Sequence, residues 1–290
     1  MGTDASSASA VLFPGQGVGD ASSRDLVAAV RPDLLELATE LVGDDPFERM
    51  SEGTAYAQPA VFCASISGYE QLGRPHAEYF AGHSLGEVGA LAAAGAIDDA
   101  DGVRIVVERG RVMEEVAARG EAGGMLAVGS DREAAAALAE EHGLTLANEN
   151  SPKQFVLSGP LSSIEAAESA AKESGMRAKK LAVAGAFHTG AMSPGVEPFR
   201  SALDEIEFRP AGAPVISSTT AAPFGDDVRD ALAASLISPI RWTAVLARLD
   251  ELGVTRFVDV GPGKVLAGLV RRTIDGAETE TLASRESAVA

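Results

Sequence analysis

Glu78-Tyr79-Phe80-Ala81-Gly82-His83-Ser84-Leu85-Gly86-Glu87 reads as a short apolar strand that turns sharply into a helix over 87–94. The turn is a G-x-S-x-G pentapeptide. Small residues flanking the serine permit a bend tight enough to push its hydroxyl out of a sheet. The helix starting there aims backbone N–H groups and its positive end at whatever the hydroxyl attacks. A chance match in a chain with 31 glycines is the competing reading, and the strand–turn–helix context weighs against it. Ser84 is the candidate nucleophile.

Outward from this elbow the pattern stays α/β. Val11-Leu12-Phe13-Pro14-Gly15-Gln16-Gly17 reads as a buried strand entering a Gly/Pro loop. Helical patterns cover 25–42, 58–72 and 98–118, the last opening on acidic residues where a helix dipole favours them. Residues 124–185 have their own rhythm. Strands are expected over 125–128, 144–147, 154–158 and 179–183, with helices over 132–141 and 162–174, the second capped by Ser162 or Ser163. That order, βαββαβ, is the ferredoxin-like pattern. Further strands over 214–218 and 256–260 complete an alternation that implies a mostly parallel sheet covered on both faces. The expected organisation is a flexible leader over 1–10, a large α/β core over 11–122 and 186–284, and a small inserted subdomain over 123–185.

The 290 residues carry 24 basic and 42 acidic side chains, a formal net charge of −18. Nucleic-acid binders neutralise phosphates with clustered Lys and Arg, so this balance excludes that class and argues against a basic membrane-binding face. The acidity is local: residues 1–150 hold 9 basic and 25 acidic side chains, whereas residues 151–187 hold 5 and 3. No apolar run approaches the roughly 20 residues that span a bilayer. Cys63 is the sole cysteine, which excludes an intrachain disulfide and suits a reducing, cytoplasmic setting. No His or Cys pair has metal-ligand spacing, so neither a metal nor a resident cofactor is expected. Gly261-Pro262-Gly263-Lys264 lacks phosphate-loop spacing and reads as a tight strand-to-helix turn.

A serine hydroxyl needs a base. Of the four histidines, His76 and His142 sit beside Pro75 and Gly143 in expected surface positions. His83 adjoins the nucleophile, but neighbours at a tight turn point apart, which suits a local structural role. His188 follows Ala186-Phe187 where the chain re-enters the core, and is the best candidate; the residues alone leave it equally open to an ordinary histidine. No histidine follows it, so the α/β-hydrolase order of serine, acid and late histidine fails, which argues against simple hydrolysis.

Phe13-Pro14-Gly15-Gln16-Gly17, Gly82-His83-Ser84-Leu85-Gly86-Glu87, Ala186-Phe187-His188 and Val260-Gly261-Pro262-Gly263-Lys264-Val265-Leu266, with Gln58-Pro59-Ala60 and Asn150-Ser151-Pro152 between them, occur in order. Over about 11–282 the chain resembles the malonyl-CoA:acyl-carrier-protein transacylases. The resemblance implies a hydrolase-like α/β core with a ferredoxin-like insertion. Ser84 would carry the malonyl group as an ester, His188 would shuttle its proton, and the N–H groups of Gln16 and Leu85 would form the oxyanion hole. Arg109 matches the arginine that grips the malonyl carboxylate, although its neighbour Glu108 alone suggests a helix-surface charge. Gln58, Phe187 and Asn150 are implied as further substrate-binding residues, Phe187 leaning towards an unbranched malonyl group. Two departures stand out: Val18-Gly19 follow Gly17, and Arg241 stands in Ser238-Pro239-Ile240-Arg241-Trp242 where relatives have glutamine. That residue is implied to orient the histidine through its main-chain carbonyl. The implied partners are malonyl-CoA and an acyl carrier protein serving fatty acid synthesis, with polyketide synthesis or acyl hydrolysis as alternatives, and a monomer is expected. Both partners are anionic, so binding must use local positive charge: Lys153, Arg177, Lys179 and Lys180, with Arg241, Lys264, Arg271 and Arg272.

Overall fold

The structure, a computed structural model, describes residues 8–17 and 22–284. The expected leader lies outside these residues up to position 7, and so do Val18 and Gly19. Ala8–Ala10, assigned to the leader, instead begin the first strand.

Nine strands are found among the described residues: β1 Ala8–Phe13, β2 Tyr79–Gly82, β3 Gly123–Gly129, β4 Thr145–Ser151, β5 Gln154–Pro160, β6 Arg177–Lys180, β7 Val215–Ile216, β8 Val254–Asp259 and β9 Glu278–Thr281. Five form an all-parallel sheet in the order β7-β2-β1-β8-β9. Its centre is β1, where Ala10, Val11, Leu12 and Phe13 are all fully buried. Alternate residues feed two different cores. Ala10 and Leu12 pack with Ala81, Trp242 and Phe257 on one face, Val11 and Phe13 with Phe80, Val88 and Leu91 on the other. Burial on both faces is what a continuous apolar run in a parallel sheet produces.

The remaining strands form an antiparallel sheet, β4-β5-β3-β6, with helices Arg132–Glu141 and Leu161–Glu173 on one face. This is the ferredoxin-like arrangement expected from the βαββαβ order. The other face contributes Met125, Ala147 and Val156 to the main core, so the two sheets share one interior. The antiparallel sheet is also bonded by backbone to the segment just before Trp242: Ile240 N–H donates to Ala147 O and Glu149 N–H to Ile240 O, both at 2.8 Å.

Several expected boundaries move for identifiable reasons. The helix expected over 25–42 is two, Ser22–Val30 and Pro32–Val42. Pro32 lacks the N–H that would continue the first helix, and its ring keeps Arg31 out of the α region, at φ −137°. The expected caps Ser162 and Ser163 lie inside the helix, which starts at Leu161; there Leu161 N–H bonds Ala122 O at 2.8 Å, so the β-ladder runs directly into the helix. The strand expected over 179–183 is Arg177–Lys180. β9 had no apolar signal, because Glu278-Thr279-Glu280-Thr281 forms a polar edge.

Candidate active site

β2 delivers the chain to the elbow. A Cβ on Gly82 would lie 1.9 Å from the carbonyl carbon of Gly86, and one on Gly86 would lie 2.0 Å from Phe13 O, so the turn admits no side chain at either glycine. Between them Ser84 adopts φ +52°, a left-handed conformation that a non-glycine residue holds only under strain. The β1–β2 register sets Phe13 beside Gly82, and His83 N–H donates to Phe13 O at 2.9 Å. The loop through Gly15 and Gln16 therefore runs along the elbow. Among the described residues, no hydrogen bond occupies the amides of Gln16 or Leu85.

Three side chains converge here. His188 Nε2 lies 2.9 Å from Ser84 Oγ, and Arg109 Nη2 donates to the same oxygen at 3.1 Å. On the other side of the imidazole, Nδ1 faces two backbone carbonyls, Ser235 O at 2.9 Å and Ser238 O at 3.1 Å. Carbonyls only accept, so this network assigns the ring hydrogen to Nδ1 and leaves Nε2 to receive the serine proton. The carbonyl of Arg241, expected to do this, instead accepts from Val245 N–H at 3.0 Å as its helix begins. Arg241 is exposed and lines a groove of about 580 Å³ with Arg132, Thr219 and Thr220.

Burial governs the electrostatics. The imidazole of His188 is pushed down to about 3, first by burial and then by the Arg109 charge. It is therefore neutral across the physiological range. Burial also lowers Arg109, to about 10, opposed by the charge of Glu87. Glu87 is raised by burial, against bonds from the backbone of Ser218 and the hydroxyl of Ser217.

Arg109 is 2 % exposed and not the surface charge its neighbour Glu108 suggests. It sits in the inward stripe Gly102, Ile105, Val106, Arg109, Val112, Met113 of helix Asp99–Arg119, a helical periodicity that marks it as buried. Gln58, implied as a substrate ligand, holds the arginine: its Oε1 accepts from Arg109 Nη1 at 2.9 Å and its Nε2 donates to Thr54 Oγ1 at 2.8 Å. Asn150 Oδ1 lies 2.8 Å from His83 Nε2, and that ring packs on Trp242, so His83 has the local structural role expected. Phe187 is buried in the main core beside Gly185. Sequence reasoning missed Ser235 and Ser238, which act through backbone atoms that no side-chain type reveals.

The expected carrier-binding cations, Lys153, Arg177, Lys179, Lys180, Arg241, Lys264, Arg271 and Arg272, are all exposed. Lys179 and Lys180 fall on opposite faces of β6. Lys179 pairs with Ala127, whose face meets the main core; Lys180 pairs with Leu126 on the helix-covered face, where its Nζ lies 3.3 Å from Glu165. Arg272 reaches Gln154 Oε1 at 3.2 Å, which brings the last turn of helix Val265–Thr273, with Arg271, to the Lys153 turn; Lys264 precedes the other end of that helix. Among the described residues no three His, Cys, Asp or Glu side chains group as metal ligands would, and no helix is long and apolar enough to cross a membrane.

A serine on a strand–turn–helix elbow, paired with a carbonyl-held histidine in an α/β fold, defines a serine acyl-transferring class of protein. The acyl transferase domain family matches residues 28–287. The malonyl CoA-acyl carrier protein transacylase of Bacillus subtilis is 37% identical over 91% of this chain and 89% of its own. The polyketide biosynthesis protein ThaF of Burkholderia thailandensis is also 37% identical, over 97% of this chain, which spans only 26% of that larger protein. The crystal structure of the malonyl-CoA:acyl carrier protein transacylase of Xanthomonas oryzae pv. oryzae superposes with a TM-score of 0.88 at 30% identity, covering 97% of each chain. The chain belongs to the malonyl-CoA:acyl-carrier-protein transacylase family.

Proposed function

We propose that the protein moves a malonyl group from malonyl-CoA to the phosphopantetheine thiol of an acyl carrier protein by a ping-pong route through Ser84. The observation that carries this reading is the meeting of His188 Nε2 and Arg109 Nη2 on one serine oxygen. Ser84 Oγ gives its proton to His188 Nε2 and attacks the thioester carbonyl. The amides of Gln16 and Leu85 receive the oxyanion, and such preorganised donors are typically worth about 3 kcal/mol of transition-state stabilisation each. Collapse breaks the carbon–sulfur bond, and the leaving thiolate takes the proton from His188. The carrier thiol then repeats the sequence in reverse on the malonyl-serine ester.

Arg109 supplies the selectivity. Its planar fork can receive a carboxylate through two parallel hydrogen bonds, and Gln58 keeps one nitrogen aimed while the other faces Ser84. Asn150, through His83, fixes the floor of the elbow, and Phe187 fills the space before the base. Lys153, Lys179, Lys264 and Arg271 are the exposed positive charges offered to an acidic carrier. Fatty acid synthesis is the first setting for this reaction. The similarity to a polyketide biosynthesis protein supports the second, a free-standing acyltransferase supplying a polyketide carrier.

The test is transfer itself. With malonyl-CoA and a holo-carrier protein, malonyl-carrier should accumulate, with little free malonate when the carrier is withheld. Rapid malonate release without any carrier would replace this reading with hydrolysis.

A further inference from the structure

The Glu87 side chain takes no part in the acyl transfer proposed for Ser84, yet it is 1 % exposed and sits in the first turn of helix Gly86–Ala93. Its backbone N–H donates to Ser84 O at 3.0 Å. Its carboxylate Oε1 accepts from Ser218 N–H at 2.6 Å and from the Ser217 hydroxyl at 3.1 Å. Ser218 passes the contact on, its carbonyl accepting from Arg241 N–H at 2.7 Å. Arg241 ends the segment 235–241, and that segment supplies both carbonyls that hold His188 Nδ1. The contacts thus close a ring from Ser84 through Glu87, Ser218, Arg241 and Ser238 to His188 and back to Ser84 Oγ.

We propose that Glu87 is a positioning residue that ties the base-holding segment 235–241 to the nucleophile's helix and so sets the imidazole against Ser84. The assignment rests on His188 acting as the base in acyl transfer. It also fits an arginine at 241, where the ring uses the backbone N–H and the residue is exposed. A rival role is that of a counter-charge for Arg109, since the Glu87 charge opposes the effect of burial on that guanidinium.

Two variants separate the roles. Glu87→Gln keeps an acceptor at the same reach and loses the charge; Glu87→Met keeps the volume and loses both. Misplacing a reacting group by about 1 Å can cost roughly a hundredfold in rate. Glu87→Met should therefore slow Ser84 malonylation about 10- to 100-fold, with the KM for malonyl-CoA within about twofold, and Glu87→Gln should recover most of the loss. The NMR resonance of the His188 Nδ1 proton should move in Glu87→Met and stay near its native position in Glu87→Gln. A Gln variant no better than Met, a loss confined to KM, or an unmoved His188 signal in Met would each overturn the proposal. Should Glu87→Met not fold by circular dichroism and gel filtration, Glu87→Asp, which keeps the charge but shortens the reach to Ser218 N–H, is read through the same proton: a shift supports the tie and no shift overturns it. Failure of the acyl-transfer reading shows separately, as native protein that gains no malonyl mass.

Discussion

The two sheets handle charge in opposite ways. Glu87, Arg109, His188 and Asp259 are buried around the carboxyl ends of the parallel strands, each at 4 % exposure or less. Among the described residues of the antiparallel sheet and its helices no ionisable side chain is buried to that degree, and Lys153, Arg177, Lys179 and Lys180 stand in solvent. Burial without a full counter-charge moves titration: His188 falls to about 3, and Asp259, which accepts from Ala267 N–H at 2.9 Å, rises to about 6. Exposed cations act at a distance, weakened by salt. The first region is built to hold a few groups in set protonation states, the second to attract a partner.

The sharpest way to break this contrast is to remove a buried charge. Truncating one member of a buried charge-assisted contact typically costs about 2–5 kcal/mol, roughly 30-fold to several-thousandfold. Arg109→Ala should therefore lower kcat/KM for malonyl-CoA by about a hundredfold or more while changing acetyl-CoA by less than about tenfold. Equal losses on the two thioesters would remove Arg109 from the carboxylate role. An exposed charge should do less. Lys179→Glu is expected to raise the KM for carrier protein about threefold to tenfold at low salt, with the effect fading at high salt. Lys180→Glu should change it by less than about twofold, because Glu165 already meets that charge. Equal effects would show that the two faces of β6 are not distinguished by the carrier.

The smallest expected effect is an absence of change. An imidazole with the ordinary value near 6.5 would be about nine-tenths protonated at pH 5.5, and a general base would lose about tenfold in rate. With His188 held near 3, the rate of Ser84 malonylation should vary less than about twofold between pH 5.5 and 7.5. A tenfold fall would show the imidazole to be far less shielded. Stability carries the opposite sign. The unfolded chain takes up the His188 proton below about 6.5 and the folded one only near 3, so this group destabilises the fold progressively as pH falls through that window.

Much of the parallel sheet was legible because its constraints are steric and local. Gly82 and Gly86 have no room for a side chain, and β1 is apolar at every buried position, so both features are written in residue type. The βαββαβ order was legible for the same reason, in alternating periodicities. Features that depend on distant partners were not. Arg109 looked like a surface charge beside Glu108, although its place in an inward stripe of the helix could have revealed it. The orienting carbonyls of Ser235 and Ser238 were credited to Arg241, because a carbonyl carries no residue signature and only the fold decides which one faces His188. β9 was missed because a polar edge strand is made by its neighbour's register and not by its own side chains.

The central claim is that Ser84 carries the acyl group, and intact-protein mass spectrometry after brief exposure to malonyl-CoA tests it most directly. The native protein should gain a single malonyl increment that Ser84→Ala does not, and competing acetyl-CoA should scarcely label it. A native protein that stays unmodified, or a Ser84→Ala protein that gains the same increment, would contradict the account.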